Sequence, residues 1–213
     1  TTAEPVDVPT TSGQISYMTE VSESSLFRNG KVFTRRDLDG SDDSYVGVDA
    51  EELTVSIGDA RCLTGEERRT IGTHGFELLD QPLADPAIDF YDHQAVVQRH
   101  YPECAEAVRA ATGASHVFAF DHNIRSAAEN KAARRIKGGQ QVQGPAHLVH
   151  GDYTLTSGPQ RLRDLAKPPG LNDTVRSVLA QGEALLDQAV VDRALGADGR
   201  FAIINLWRNI DSE

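Results

Sequence analysis

The chain has 213 residues, enough for one domain with a full core, and a formal net charge of -11 that excludes the cationic surface nucleic acid or an anionic membrane requires. Its two cysteines, Cys62 and Cys104, lie far apart in no metal-ligand spacing, which excludes a disulfide framework and points to a reducing, cytoplasmic compartment. Thr1–Thr11 has neither a basic nor an apolar signal region, and no run of about 18 apolar residues occurs, so neither export nor a membrane span is expected.

Residues 1–12 are rich in Thr, Pro and Glu without apolar periodicity, and read as a flexible leader to a single domain over 13–213. Gln14–Met18 and Lys31–Thr34 read as short strands around a Ser-rich turn, with Arg28–Gly30 as a hairpin signal. Leu53–Ile57 alternates apolar with polar, the strand period. From Asp89 the spacing of Phe90, Val96 and Val97 becomes helical as far as Pro102, which opens a second helical run closed by Gly113.

Ser115–Arg125 reads as a long strand, with Val117, Ala119, Asp121, Asn123 and Arg125 on one face and Phe118 and Phe120 on the other. Ser126–Lys137 is Ala- and Arg-rich and suits a helix or a loop. Pro145–Thr154 is the next apolar, strand-like run. A helical segment then runs from Ser157 to Ala166, Pro168–Gly170 breaks it, and Asn172 with Asp173 caps an amphipathic helix through Ala194. Phe201–Trp207 closes the pattern as a buried strand.

Chemistry concentrates in Pro145–Thr154. Residues i and i+2 of a strand point to one side, so His150 and Asp152 can offer a nitrogen and an oxygen to one metal ion. A neutral imidazole and a carboxylate, joined by a second His, make the facial triad of non-haem Fe(II) oxygenases. With seven His and 32 acidic residues, roughly one His-x-Asp/Glu arises by chance, so the surrounding sequence has to carry the assignment. His147 is an odd step from His150 and faces away in a regular strand.

Other side chains have two readings each. Tyr153 and Thr154 flank the pair and suit either contact with a co-substrate or core hydroxyls bonded to backbone. Arg125 suits an ion pair or a substrate anion. Asn205 and Trp207 share a strand face, so Asn205 can bond a carboxylate and Trp207 can wall a pocket or fill the core. Arg208 faces the other way and suits a structural role, while Arg161 and Arg163 suit pairing with Asp164 or Asp173.

Four blocks in order, Val117–Arg125, Pro145–Thr154, Ser157–Asp164 and Phe201–Arg208, resemble the oxygenase family that includes the cephalosporin 7α-hydroxylase component, gibberellin desaturase-like proteins and fungal meroterpenoid oxygenases. Val55–Arg61 and Thr73–Phe76 resemble its upstream blocks. The resemblance implies a mainly β fold with flanking helices, built on a double-stranded β-helix or jelly-roll core. It also implies Fe(II) held by His150 and Asp152, 2-oxoglutarate as co-substrate, and hydroxylation, desaturation or ring formation on a small specialised metabolite.

In that family the second His and the Arg that binds 2-oxoglutarate follow the Asn-Leu-Trp-Arg block, whereas here no His follows Asp152. The jelly roll is therefore expected to lack its carboxy-terminal strands, as in part of a longer polypeptide or one component of a homo- or hetero-oligomer. His122 is the best internal substitute for the third ligand. Two alternatives stand beside the oxygenase: a non-catalytic, oxygenase-like subunit that supports an active partner, and, more weakly, a mononuclear zinc hydrolase.

Overall fold

The computed structural model describes residues 8–20, 33–34, 45–46, 49–128, 134–137, 142–146, 148–171 and 173–210. The readings on Arg28–Gly30, His147, Asn172 and residues 129–133 of the Ser126–Lys137 segment lie outside them.

Strand β1, Thr10–Met18, pairs antiparallel with β4, Ala50–Gly58, over nine residues from Thr10 opposite Gly58 to Met18 opposite Ala50. Strands β2, Phe33–Thr34, and β3, Tyr45–Val46, form a second, two-residue ladder. The expected hairpin between Gln14–Met18 and Lys31–Thr34 is thus replaced by a longer-range pairing. Nine paired residues satisfy far more backbone than two. β1 also begins at Thr10, inside the segment read as a leader.

One helical stretch forms the spine. It starts at His93–Ala95, passes through a π-helical turn at Val96–His100 and continues as Tyr101–Thr112. Asp92 caps its start by accepting from the Ala95 N–H at 3.2 Å. Pro102 was expected to separate two helices; instead the helix runs through it. Proline removes the N–H that would bond residue 98 and crowds that carbonyl, and the wider π turn just before it accommodates both effects. Gly113, at φ 68, ends the helix in the left-handed region and returns its N–H to the Arg109 carbonyl at 2.8 Å.

Three apolar clusters form the core, the first of them built on this spine. Val96, Val97, Tyr101 and Val175 form the first, Ile124, Ile136 and Val142 the second, and Leu165, Leu186 and Val191 the third. Phe90 packs against the first two, and Leu185 joins the first to the third. These shared residues make one contiguous core out of small pieces.

Four expected elements differ. Ser115–Arg125 and Pro145–Thr154, read as strands, form among their described residues only the single bridges at Arg125 and Leu148. The long helix from Asp173 to Ala194 resolves into a 3-10 turn at Thr174–Ser177, a turn at Gly182 with φ 84, and a helix only over Gln188–Leu195. A tertiary bond explains the interruption: the Leu186 N–H reaches the Leu165 carbonyl at 3.0 Å, which turns the backbone away from its own helical acceptor. Phe201–Trp207 carries no assigned strand and is not buried, and Trp207 is 75% exposed.

The segments around residues 115–123, 148–154 and 200–210 line a concave face with a cavity volume of about 2120 Å³. Phe118, Val149, Phe201 and Trp207 present exposed apolar surface there. Single parallel bridges hold its edges, Ser16 with Leu148 and Arg125 with Gln143. Among the described residues no helix is long and apolar enough to cross a membrane.

Candidate metal centre

His150 and Asp152 sit on the concave face with their side chains 49% exposed, and His150 Nε2 lies 3.9 Å from Asp152 Oδ1. His150 Nδ1 is 2.7 Å from the Leu148 carbonyl oxygen. A carbonyl only accepts, so Nδ1 carries the proton and Nε2 keeps its lone pair. On the other side, Asn205 Nδ2 donates to Asp152 Oδ2 at 2.7 Å, which leaves Oδ1 facing the imidazole. Sequence analysis had placed Asn205 on a carboxylate; in the structure that carboxylate belongs to the protein.

This donor set fits a divalent first-row ion. Adjacent bonds of roughly 2.0–2.2 Å place two donor atoms about 3 Å apart, so the half-exposed His150 and Asp152 side chains have to swing together from 3.9 Å to share one ion, while both remaining polar atoms are already held by neighbours. Among the described residues no third His, Cys, Asp or Glu joins the pair. His122, considered as an internal third ligand, is engaged elsewhere: its Nδ1 shares a hydrogen bond with the Tyr101 hydroxyl at 2.8 Å and its ring stacks on His93 with centroids 5.4 Å apart. Burial, followed by the nearby His93, lowers its pKa to about 4 and keeps it neutral.

The flanking residues divide by role. Thr154 Oγ1 accepts from the Ser157 N–H at 3.0 Å while Ser157 Oγ accepts from the Thr154 N–H at 2.8 Å, a reciprocal cap that starts the helix Ser157–Leu165. Tyr153 is half-buried with its ring edge against Phe120, centroids 6.5 Å apart, and burial pushes its hydroxyl pKa up. The Arg161 guanidinium lies over the Phe120 ring at 5.1 Å and pairs with Asp173 at 2.9 Å. Arg125 donates to the Gly144 carbonyl at 3.0 Å, beside its bridge to Gln143. Trp207 lines the concave face without being buried in it.

Sequence analysis missed the anchor of the 200–210 segment. Arg208 Nη1 donates to the Gln81 carbonyl at 2.8 Å, and Arg208 Nη2 lies 3.7 Å from Glu103, whose other oxygen accepts from His100 Nδ1 at 2.9 Å. The i,i+3 spacing of His100 and Glu103 is legible on a helix. Their link to Arg208 is a product of tertiary folding. Phe201 and Ile203 approach Gly158, where an added Cβ would meet both at 3.8–3.9 Å, ordinary packing distance.

The chain is 44% identical over 198 residues to "Uncharacterized protein in dcmA 3'region" of Methylophilus leisingeri, covering 93% of this chain and 90% of that protein. It is 31% identical over 157 residues to "Alpha-ketoglutarate-dependent dioxygenase tstK" of Talaromyces stipitatus, covering 72% of this chain. "Hydroxylase/desaturase efuI" of Hormonema carpetanum is 23% identical over 207 residues, 95% of this chain. The chain spans 46% of the length of the first fungal protein and 58% of the second. No solved structure gives a significant match. Residues 15–213 match the family described as "Oxidoreductase/YMDC permease-like domain", and the chain belongs to that family.

Proposed function

We propose that this chain contributes two iron ligands, His150 and Asp152, to a non-haem Fe(II)/2-oxoglutarate-dependent oxygenase with a jelly-roll core that hydroxylates or desaturates a small specialised metabolite. The observation that carries the reading is the convergence of His150 Nε2 and Asp152 Oδ1 at 3.9 Å on an open concave face, each with its other polar atom tied down. Relatives named as α-ketoglutarate-dependent dioxygenases support it. Bound there, Fe(II) with 2-oxoglutarate supplies oxidising power by coupling O2 reduction to decarboxylation of the keto acid to succinate.

The chain's own residues prepare that chemistry. His150 offers a neutral nitrogen and Asp152 one negative charge, which suits a hard divalent ion while leaving positions open for co-substrate and O2. Phe118, Val149 and Trp207 provide apolar wall for an uncharged substrate. Arg125 and Tyr153 are a cation and a hydroxyl on the same face for a substrate or co-substrate anion.

Anaerobic Fe(II) titration and succinate release, measured on the full-length polypeptide and on His150→Ala, test this. The expected result is iron-dependent succinate from the unsubstituted protein and none above background from the variant. Absence of iron binding in the full-length protein sinks the proposal. Among the described residues only two ligands converge, which favours as second reading a non-catalytic, oxygenase-like subunit. Iron binding without succinate release is its signature.

A further inference from the structure

Asp152 is the more mobile of the two candidate ligands on chemical grounds, because a carboxylate has two equivalent oxygens and turns freely about its terminal bond. Left alone on an exposed surface, it can present either oxygen, or both, to an ion. The structure removes that freedom. Asn205 Nδ2 occupies Oδ2 at 2.7 Å, and Oδ1 is the oxygen that faces His150 Nε2.

Asn205 is itself held on both sides. Phe201 and Ile203 lie against Gly158 at the start of the helix Ser157–Leu165, and Arg208 is bonded to the Gln81 carbonyl and paired with Glu103. The donor therefore comes from a segment whose position is fixed three residues further on by contacts outside the site. An exposed hydrogen bond between unanchored side chains adds little order; one whose donor backbone is pinned orients its acceptor.

We propose that Asn205 is a positioning residue that locks Asp152 as a one-oxygen ligand, rather than a ligand of the co-substrate. The inference rests on the metal-site reading above and concerns how the ion is held. Losing such a support costs metal affinity by roughly 10- to 100-fold in comparable sites. It acts before any co-substrate is present.

The test is anaerobic calorimetric titration of the full-length protein with Co(II) alone, followed by the visible spectrum of the Co(II) form and by titration of 2-oxoglutarate into it. Asn205→Leu keeps the volume and removes the donor; Asn205→Gln keeps a donor. The expected result is a Co(II) Kd raised about 10- to 100-fold in Asn205→Leu, with an altered Co(II) spectrum, a metal-free melting temperature unchanged, and substantial recovery in Asn205→Gln. Unchanged Co(II) affinity in Asn205→Leu overturns the inference, as does unchanged Co(II) affinity with weakened 2-oxoglutarate binding, which makes Asn205 a co-substrate ligand. A metal-free melting temperature that falls in Asn205→Leu together with the affinity also overturns it, in favour of a general structural role. Unsubstituted protein that binds no Co(II) or Fe(II) overturns the metal-site reading itself, which keeps the two failures apart.

Discussion

His122 shows how a single residue's surroundings set its chemistry. The ring lies between Tyr101 and His93, and burial, then the His93 and His100 rings, disfavour its charged form, with Asp121 acting in the opposite direction. Its pKa falls from 6.5 to about 4 in the folded protein. The unfolded chain therefore binds a proton that the folded one refuses between those values, so stability is full above about 6.5 and is lost as pH falls towards 4. Allowing for partial exposure, the loss is about 2 kcal/mol. Urea unfolding of the unsubstituted protein and of His122→Asn across that window should show the extra acid sensitivity in the former only; parallel curves refute the assignment. The same scale explains what was legible at the candidate metal pair. His150 and Asp152 are two positions apart and stand out in sequence, whereas the imidazole tautomer depends on where the Leu148 carbonyl points.

Among the elements, the helix through Tyr101–Thr112 was the most readable, because its end is written locally. Gly113 adopts φ 68, and a Cβ added there meets nothing within 4 Å, so any cost of Gly113→Ala is backbone strain alone. That cost is about 1 kcal/mol, which for a protein of this size lowers the melting temperature by roughly 2–4 °C. Calorimetry showing no decrease contradicts the strain argument. The helix expected over Asp173–Ala194 was misread for the opposite reason. Its apolar spacing is helical, yet Leu186 takes the Leu165 carbonyl, a partner that periodicity does not reveal. β1 likewise finds β4 across more than thirty intervening residues, past the nearer strand that a hairpin signal favoured.

At the scale of the whole molecule, the concave face decides what the protein can bind. It combines the candidate metal pair with Phe118, Val149 and the chain's one tryptophan, Trp207, which is 75% exposed. Trp207 therefore reports directly on that face. Its fluorescence should peak near that of a solvent-exposed indole and be readily quenched by acrylamide, and an apolar ligand entering the cavity should shift the emission to the blue. A blue-shifted, quencher-resistant spectrum in the ligand-free protein refutes the exposure seen here. A buried strand over Phe201–Trp207, with Trp207 walling a pocket or filling the core, was the sequence expectation, because an apolar strand is usually interior; what such a segment packs against is settled by its neighbours.

Sequence alone determined the features that depend on neighbours a few residues away: the acidic character, the His150/Asp152 spacing and the end of the helix at Gly113. Local backbone geometry brings such residues together whatever the rest of the chain does. Tertiary structure alone decided that Asn205 bonds Asp152, that Arg208 reaches Glu103 and Gln81, and that His122 is shared with Tyr101 and His93. Those partners are far apart in the chain, and only the packing of the core fixes the distance between them.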